Sequence, residues 1–136
     1  LCWGDNSFGQ SQVPTGKTFM AIGTGEEFSC GLQLDGIALC WGDNTFGQLN
    51  APESITFTTI AVGGFHICGL KADGSIFCWG QNTYGQATPP ANYSLFSGLT
   101  AGDQGTCAFA GYSTTTSASS ASQLLPGLVT WLRELQ

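Results

Sequence analysis

The sequence predicts an all-β protein of propeller-type blades, about three repeat units of 38–39 residues forming a partial propeller or repeat array. Three observations carry this. The strings CWGDNSFGQ, CWGDNTFGQ and CWGQNTYGQ begin at Cys2, Cys40 and Cys78, an interval of 38 each time. Aligning on that interval brings further columns into phase: Phe19, Phe57 and Phe96; Ile22, Ile60 and Leu99; Gly25, Gly63 and Gly102; Cys30, Cys68 and Cys107. Finally, the middle of each unit consists of two short apolar runs flanking Asp-Gly. A period near 40, rich in glycine, aromatics and short apolar runs, is the pattern of blades or of a strand solenoid.

The chain opens on Cys2-Trp3-Gly4, the second half of a hairpin in this pattern. The Phe19 and Ile22 columns repeat one apolar type at fixed phase and are expected in the core between sheets. CGLQLDGIALC (Cys30 to Cys40) and CGLKADGSIFC (Cys68 to Cys78) then read as hairpins. Three-residue loops at Leu34-Asp35-Gly36 and Ala72-Asp73-Gly74 put glycine where a left-handed residue is required. That register sets Cys30 opposite Cys40 and Cys68 opposite Cys78, within disulfide reach. Zinc is the alternative for four cysteines, but zinc modules place paired ligands two to four residues apart. Two disulfides, each contributing about 3 kcal/mol, put the segment outside the reducing cytosol.

The third unit carries one inserted residue between Gln86 and Phe96 and ends on a first half-hairpin, Cys107-Ala108-Phe109-Ala110. Cys2 and Cys107 are therefore complementary halves of one pair, a candidate disulfide between chains or with a neighbouring repeat. Either the units belong to a longer array cut within a repeat, or the ends meet. Two copies would close a ring of six units and many would make a fibre. Nothing in the terminal units resembles a polar cap. The repeats are placed at 1–110, a Ser/Thr-rich loop or linker at 111–123, and a final segment at 124–136. In that last segment Leu128, Trp131, Leu132 and Leu135 fit an apolar helical face. Gly127 to Trp131 equally echoes the second strand of a hairpin, with Thr130 at the cysteine position. Both readings stand.

The motif Cys-Gly-Leu-x-x-Asp-Gly-x-x-x-Cys-Trp-Gly-x-Asn-x-x-Gly-Gln-x-x-x-Pro, met at 30–52 and 68–90, resembles the repeat of the regulator of chromosome condensation family in its cysteine-bearing secreted form. The resemblance covers roughly residues 1–110. It implies blades of four strands from a ring that usually has seven. Members of the family range from a nuclear exchange factor to crinkly-type receptor ectodomains of plants, a secreted β-lactamase inhibitor and bacterial surface proteins. The fold carries over from such a group and the function does not.

Composition narrows the choice. Nine acidic against three basic residues give a net charge of −6, which argues against a nucleic-acid partner, since phosphate binding needs a positive surface. Charged residues make up only 9% of the chain, so the surface relies on Ser, Thr, Asn, Gln and Gly. This suits a secreted or extracellular surface protein. No run of 18 apolar residues offers a membrane span. Leu1 is not an initiator, so a mature or trimmed chain is expected.

No enzymatic activity, metal site or cofactor is expected. His66 is the single histidine and has no repeat-wide counterpart, so it reads as structural. Glu26 and Glu27 are adjacent and on a strand would point to opposite faces. Asp5-Asn6 and Asp43-Asn44 are weighed as calcium ligands, but Gln81 stands at the third aspartate position, and bonding to the turn backbone is the simpler role. Trp3, Trp41 and Trp79 read as inter-blade packing rather than sugar platforms. Asn92-Tyr93-Ser94 is the one sequon and makes Asn92 the candidate for N-glycosylation, with Thr114, Thr115 and Thr116 for O-linked sugar. The function expected is recognition of a protein or glycan ligand at the cell exterior. The alternative is a structural protein that self-associates end to end into a ring or filament.

Overall fold

The computed structural model describes residues 1–111. Among the described residues eight strands alternate with turns and form three antiparallel sheets. The first holds β1 (Phe19–Thr24), β2 (Phe28–Gln33) and β3 (Ala38–Gly42); the second β4 (Thr59–Val62), β5 (His66–Leu70) and β6 (Ile76–Gly80); the third β7 (Phe96–Ala101) and β8 (Thr106–Ala110). The resemblance implied four strands per blade, and two of these sheets have three. The chain leaves β3 into a hydrogen-bonded loop and then Pro52, so no fourth ladder forms there. The readings offered for 124–136, and Thr114, Thr115 and Thr116, lie outside the described residues.

Each hairpin turns where the aspartate and glycine dictate. Gln33 and Ile37 close the first loop, with Gln33 N donating to Ile37 O at 2.9 Å and Ile37 N donating to Asp35 Oδ1 at 3.0 Å. Gly36 has φ +84° and Gly74 φ +80°, backbone that an L side chain adopts at a cost. Their carbonyls also tie each sheet to the next: Phe57 N donates to Gly36 O and Phe96 N to Gly74 O, both at 2.8 Å. The register pairs Cys30 with Cys40 and Cys68 with Cys78. Both pairs are bridged, with Cα atoms 4.0 and 4.1 Å apart.

The sheets stack face to face. The side of the first sheet carrying Phe28, Cys30, Leu32 and Cys40 meets the side of the second carrying Phe57, Ile67 and Trp79, and these residues are the main buried cluster. Phe57 lies over Gly69, whose missing side chain makes room for the ring. The aromatic column is buried at Phe57 and Phe96 but only half-buried at Phe19, and Ile22 is exposed, against expectation. The cause is position. Ile22 and Phe19 lie on the face of the first sheet that corresponds to the covered face of the second, and no described sheet precedes the first. Phe19 still gains Trp41 as a neighbour, with ring centroids 5.5 Å apart.

Candidate functional site

In each unit the strand ends converge on one end of the stack. Thr24 pairs with Ser29 and Phe28 with Gly42, so the β1–β2 loop and the chain leaving β3 emerge together. The second sheet repeats this with His66 opposite Gly80.

The Asp-Asn-x-Phe-Gly-Gln segment forms this end as a loop closed by its own side chains. Gln48 sends Nε2 to Asp43 Oδ2 at 2.8 Å and accepts from Phe46 N through Oε1 at 2.8 Å. Asp43 also accepts from Thr45 N and Thr45 Oγ1, and Asn44 Oδ1 accepts from Leu49 N. Asp5, Asn6 and Gln10 make the same set one unit earlier. In the third copy Gln81 replaces the aspartate and still accepts from Gln86 Nε2, at 3.2 Å. The hydrogen bonds hold both carboxyls below the ordinary carboxylate range, led by Ser7 at Asp5 and by Thr45 at Asp43. These oxygens are occupied by the turn.

The glutamine at the loop's end couples each unit to the next. Trp41 Nε1 donates to Gln10 O at 2.9 Å and Trp79 Nε1 to Gln48 O at 3.0 Å. Both indoles are buried, whereas Trp3 is exposed. Ser29 and Thr106 hydroxyls likewise donate to Gln10 O and Gln86 O. The buried glutamines carry no apolar signal in the sequence; their invariance within the repeat was the cue available.

At the same end of the stack, three loops are laced together. Glu26 N donates to Gly64 O at 3.1 Å and Gly64 N to Asp103 O at 3.2 Å. This lacing brings the Glu26 carboxyl against that of Asp103. Desolvation first, then hydrogen bonding to Asp103 and the neighbouring negative charges, push the exposed Glu26 up. Pairing Glu26 with Glu27 by adjacency missed this contact. The repeat alignment held the signal, because Glu26, Gly64 and Asp103 each follow the column glycine.

His66 lies below this point, fully buried between the second and third sheets, with Nε2 2.8 Å from Thr106 Oγ1. Nδ1 has no partner. Burial pushes its pKa down, and Asp103 partly opposes that. Among the described residues no three His, Cys, Asp or Glu side chains cluster as a metal site would require, and the hydroxyl beside His66, Thr106 Oγ1, gives its proton to Gln86 O rather than to the imidazole. Asn92 is exposed, and so is Cys107, while Cys2 is half-buried; neither of these two cysteines is bridged.

A stack of antiparallel sheets, the first two tied by a tryptophan and the third by Thr106 to the loop of the unit before, defines a β-propeller blade array. The regulator of chromosome condensation (RCC1) repeat matches residues 21–48 and 57–86. Among solved structures, the chain is similar to the ectodomain of the Physcomitrella patens receptor kinase CR4 (36% identity over 69% of this chain and 26% of that one, TM-score 0.62). It is similar also to the CRINKLY WD40 ectodomain of the Arabidopsis thaliana receptor kinase ACR4 (31% identity, 82% and 38%, TM-score 0.64). Prp20p of Saccharomyces cerevisiae shares the fold at 16% identity (91% and 42%, TM-score 0.64). No curated protein matches the sequence. The chain belongs to the RCC1-like repeat family, and spans between 26% and 42% of the length of these structures.

Proposed function

We propose that the chain is a non-enzymatic recognition module working at the cell exterior, where its loops hold a protein or glycan ligand. The observation that carries this is the pairing of two disulfide-closed hairpins with the likeness to two receptor-kinase ectodomains. Disulfides persist in oxidising compartments, and loops on a rigid scaffold are where such folds place their binding residues. Screening the immobilised protein against secreted proteins, cell-surface proteins and a glycan array should return a saturable ligand. Failure of all three, with the protein folded, would contradict recognition.

A second reading, end-to-end self-association, is favoured by one observation. In the first two sheets a Cys-Trp-Gly strand pairs with the strand that bears the partner cysteine. The outer edge of β8 is unpaired among the described residues, and Cys107 is exposed on it. A cavity of about 600 Å³ lies alongside, lined by Ile76, Tyr84, Gln86, Phe96 and Cys107. Cys2-Trp3-Gly4 of another copy has the residues to fill that edge in the register of Cys30 with Cys40. Non-reducing electrophoresis should then show a ladder that collapses on reduction; a monomer with two alkylatable thiols would exclude it. Asn92 is proposed as the N-glycosylation site, and an intact mass equal to the bare polypeptide for material from a eukaryotic host would exclude that.

A further inference from the structure

The loop end of the stack carries exposed aromatic rings at a fixed phase. Phe8, Phe46 and Tyr84 occupy the position before the Gly-Gln of each unit, and they are 49%, 43% and 68% exposed. Their backbone amides are all pinned by the following glutamine, so each ring is presented by a stiff loop. Phe65, from the β4–β5 loop, extends the surface, its centroid 5.2 Å from that of Phe46 in an edge-on contact. Aromatic side chains recurring at one phase in a repeat are normally core. Here the phase is kept and the rings face solvent, one per unit.

Charge on the same end is one-sided. Of the nine acidic residues, five (Asp5, Glu26, Glu27, Asp43 and Asp103) lie on these loops, whereas the described cations sit at the other end. Lys71 follows β5, with Nζ 3.7 Å from Asp73 Oδ2, and Lys17 precedes β1. Asp5 and Asp43 are committed to their turns, but Glu26, Glu27 and Asp103 are not. The lacing of Glu26 to Gly64 and of Gly64 to Asp103 holds two carboxyls together, and that contact adds to desolvation in pushing Glu26 up. A cation between them would relieve it.

We propose that this end is a docking surface for a basic, extended segment of a partner protein. Its Lys and Arg stems would lie across Phe8, Phe46 and Tyr84, and their charges would meet Glu26, Glu27 and Asp103. Arg and Lys suit such a surface because their aliphatic stems cover apolar rings while the charged heads interact with ring faces and carboxylates. Opposite charge also steers encounter from a distance. A partner that is extended and repetitive matches rings set one unit apart. The proposal rests on the recognition reading and names the chemistry of its ligand.

The test uses a fluorescein-labelled twelve-residue peptide of alternating Arg and Ala, with an alternating Glu and Ala peptide as control. Fluorescence anisotropy at low salt should show saturable binding of the basic peptide alone, weakened as salt rises toward about 0.15 M. Phe46→Ala with Tyr84→Ala should weaken binding about five-fold or more, and Glu26→Gln with Asp103→Asn by a similar factor. Asp35→Asn, at the opposite end and still able to accept from Ile37 N, should leave it unchanged. Thermal melts identify any variant that fails to fold, and amide chemical shifts of the unmodified protein locate the peptide independently. Equal weakening by Asp35→Asn, or shifts centred on the hairpin tips, would reduce the effect to diffuse charge attraction and overturn the docking surface. No binding of the basic peptide, while the ligand screen returns a neutral or acidic ligand, would overturn this proposal and leave recognition standing.

Discussion

The contact between the first and second sheets and the contact between the second and third use the same backbone and differ in what fills it. At the first, Phe28 and Leu32 meet Phe57, Ile67 and Trp79, all buried and all apolar. At the second, His66 takes the place of Phe28, and Thr106 takes the place of Ile67. Thr106 gives its one hydroxyl proton to Gln86 O at 3.0 Å. His66 must therefore donate to Thr106 through Nε2, which leaves Nδ1 bare in the interior. A repeat thus keeps its strands and turns while one contact is apolar and the next holds a buried histidine and a hydroxyl. The loop end straddles both, since Phe46 and Glu26 lie on the first contact's side and Tyr84 and Asp103 on the second's.

The comparison breaks most readily at its apolar half. Phe57→Ala should cost about 3–5 kcal/mol, because it removes a buried ring that spans the first two sheets. Chemical denaturation would measure it, and a loss below about 1 kcal/mol would mean that the column is not core.

Next come the bridges. Replacing either cysteine pair by alanine should cost about 3 kcal/mol for so short a loop. The order of reduction sharpens the comparison. Cys30 and Cys40 are both buried, whereas Cys78 is partly open and lines the cavity beside β8. Under a mild thiol reductant Cys68–Cys78 should open first, since exchange depends on access; mapping alkylated peptides over time would show the order.

The smallest expected effect is the most specific. Burial favours neutral His66, so the unfolded chain takes up a proton near the ordinary value of 6.5 before the folded chain does. Stability should therefore fall as pH drops below about 6.5 and level off once the folded histidine is protonated too. Asp103 is the charged group facing it and softens the effect. His66→Phe copies the Phe28 arrangement. It should remove this slope and raise stability at pH 5 by about 1–2 kcal/mol. Glu26, raised, contributes in the opposite sense just above 4.5, and Asp5, Asp43 and Asp73, held low, add losses only below about 3.8. The difference between wild type and variant isolates the histidine.

Much of the fold was legible because the repeat wrote it three times. Asp-Gly fixed the turn, the turn fixed the register, and the register set Cys30 across from Cys40. The tryptophan column read as packing, which holds for Trp41 and Trp79, each bonded to a carbonyl 31 residues earlier, and not for the exposed Trp3. What stayed hidden depends on neighbours rather than on the unit itself. Ile22 repeats Ile60's position and is exposed because no described sheet covers it. Glu26 meets Asp103 through two loops and 77 positions of sequence, a distance at which local pattern is silent. Phe8, Phe46 and Tyr84 share a phase and are exposed, because burial is decided by where a loop ends.

Native-state hydrogen exchange at pH 7 and pH 5 tests the contrast most directly. Amides of β2, β4 and β5 that close the first contact should be strongly protected at both values. Those of β7 and β8 should exchange faster at pH 7, and lose further protection at pH 5 relative to His66→Phe, after correction for the intrinsic pH dependence of exchange. Equal protection across all three sheets, with no change specific to β7 and β8 on acidification, would contradict a rigid pair of sheets carrying a polar, proton-sensitive third.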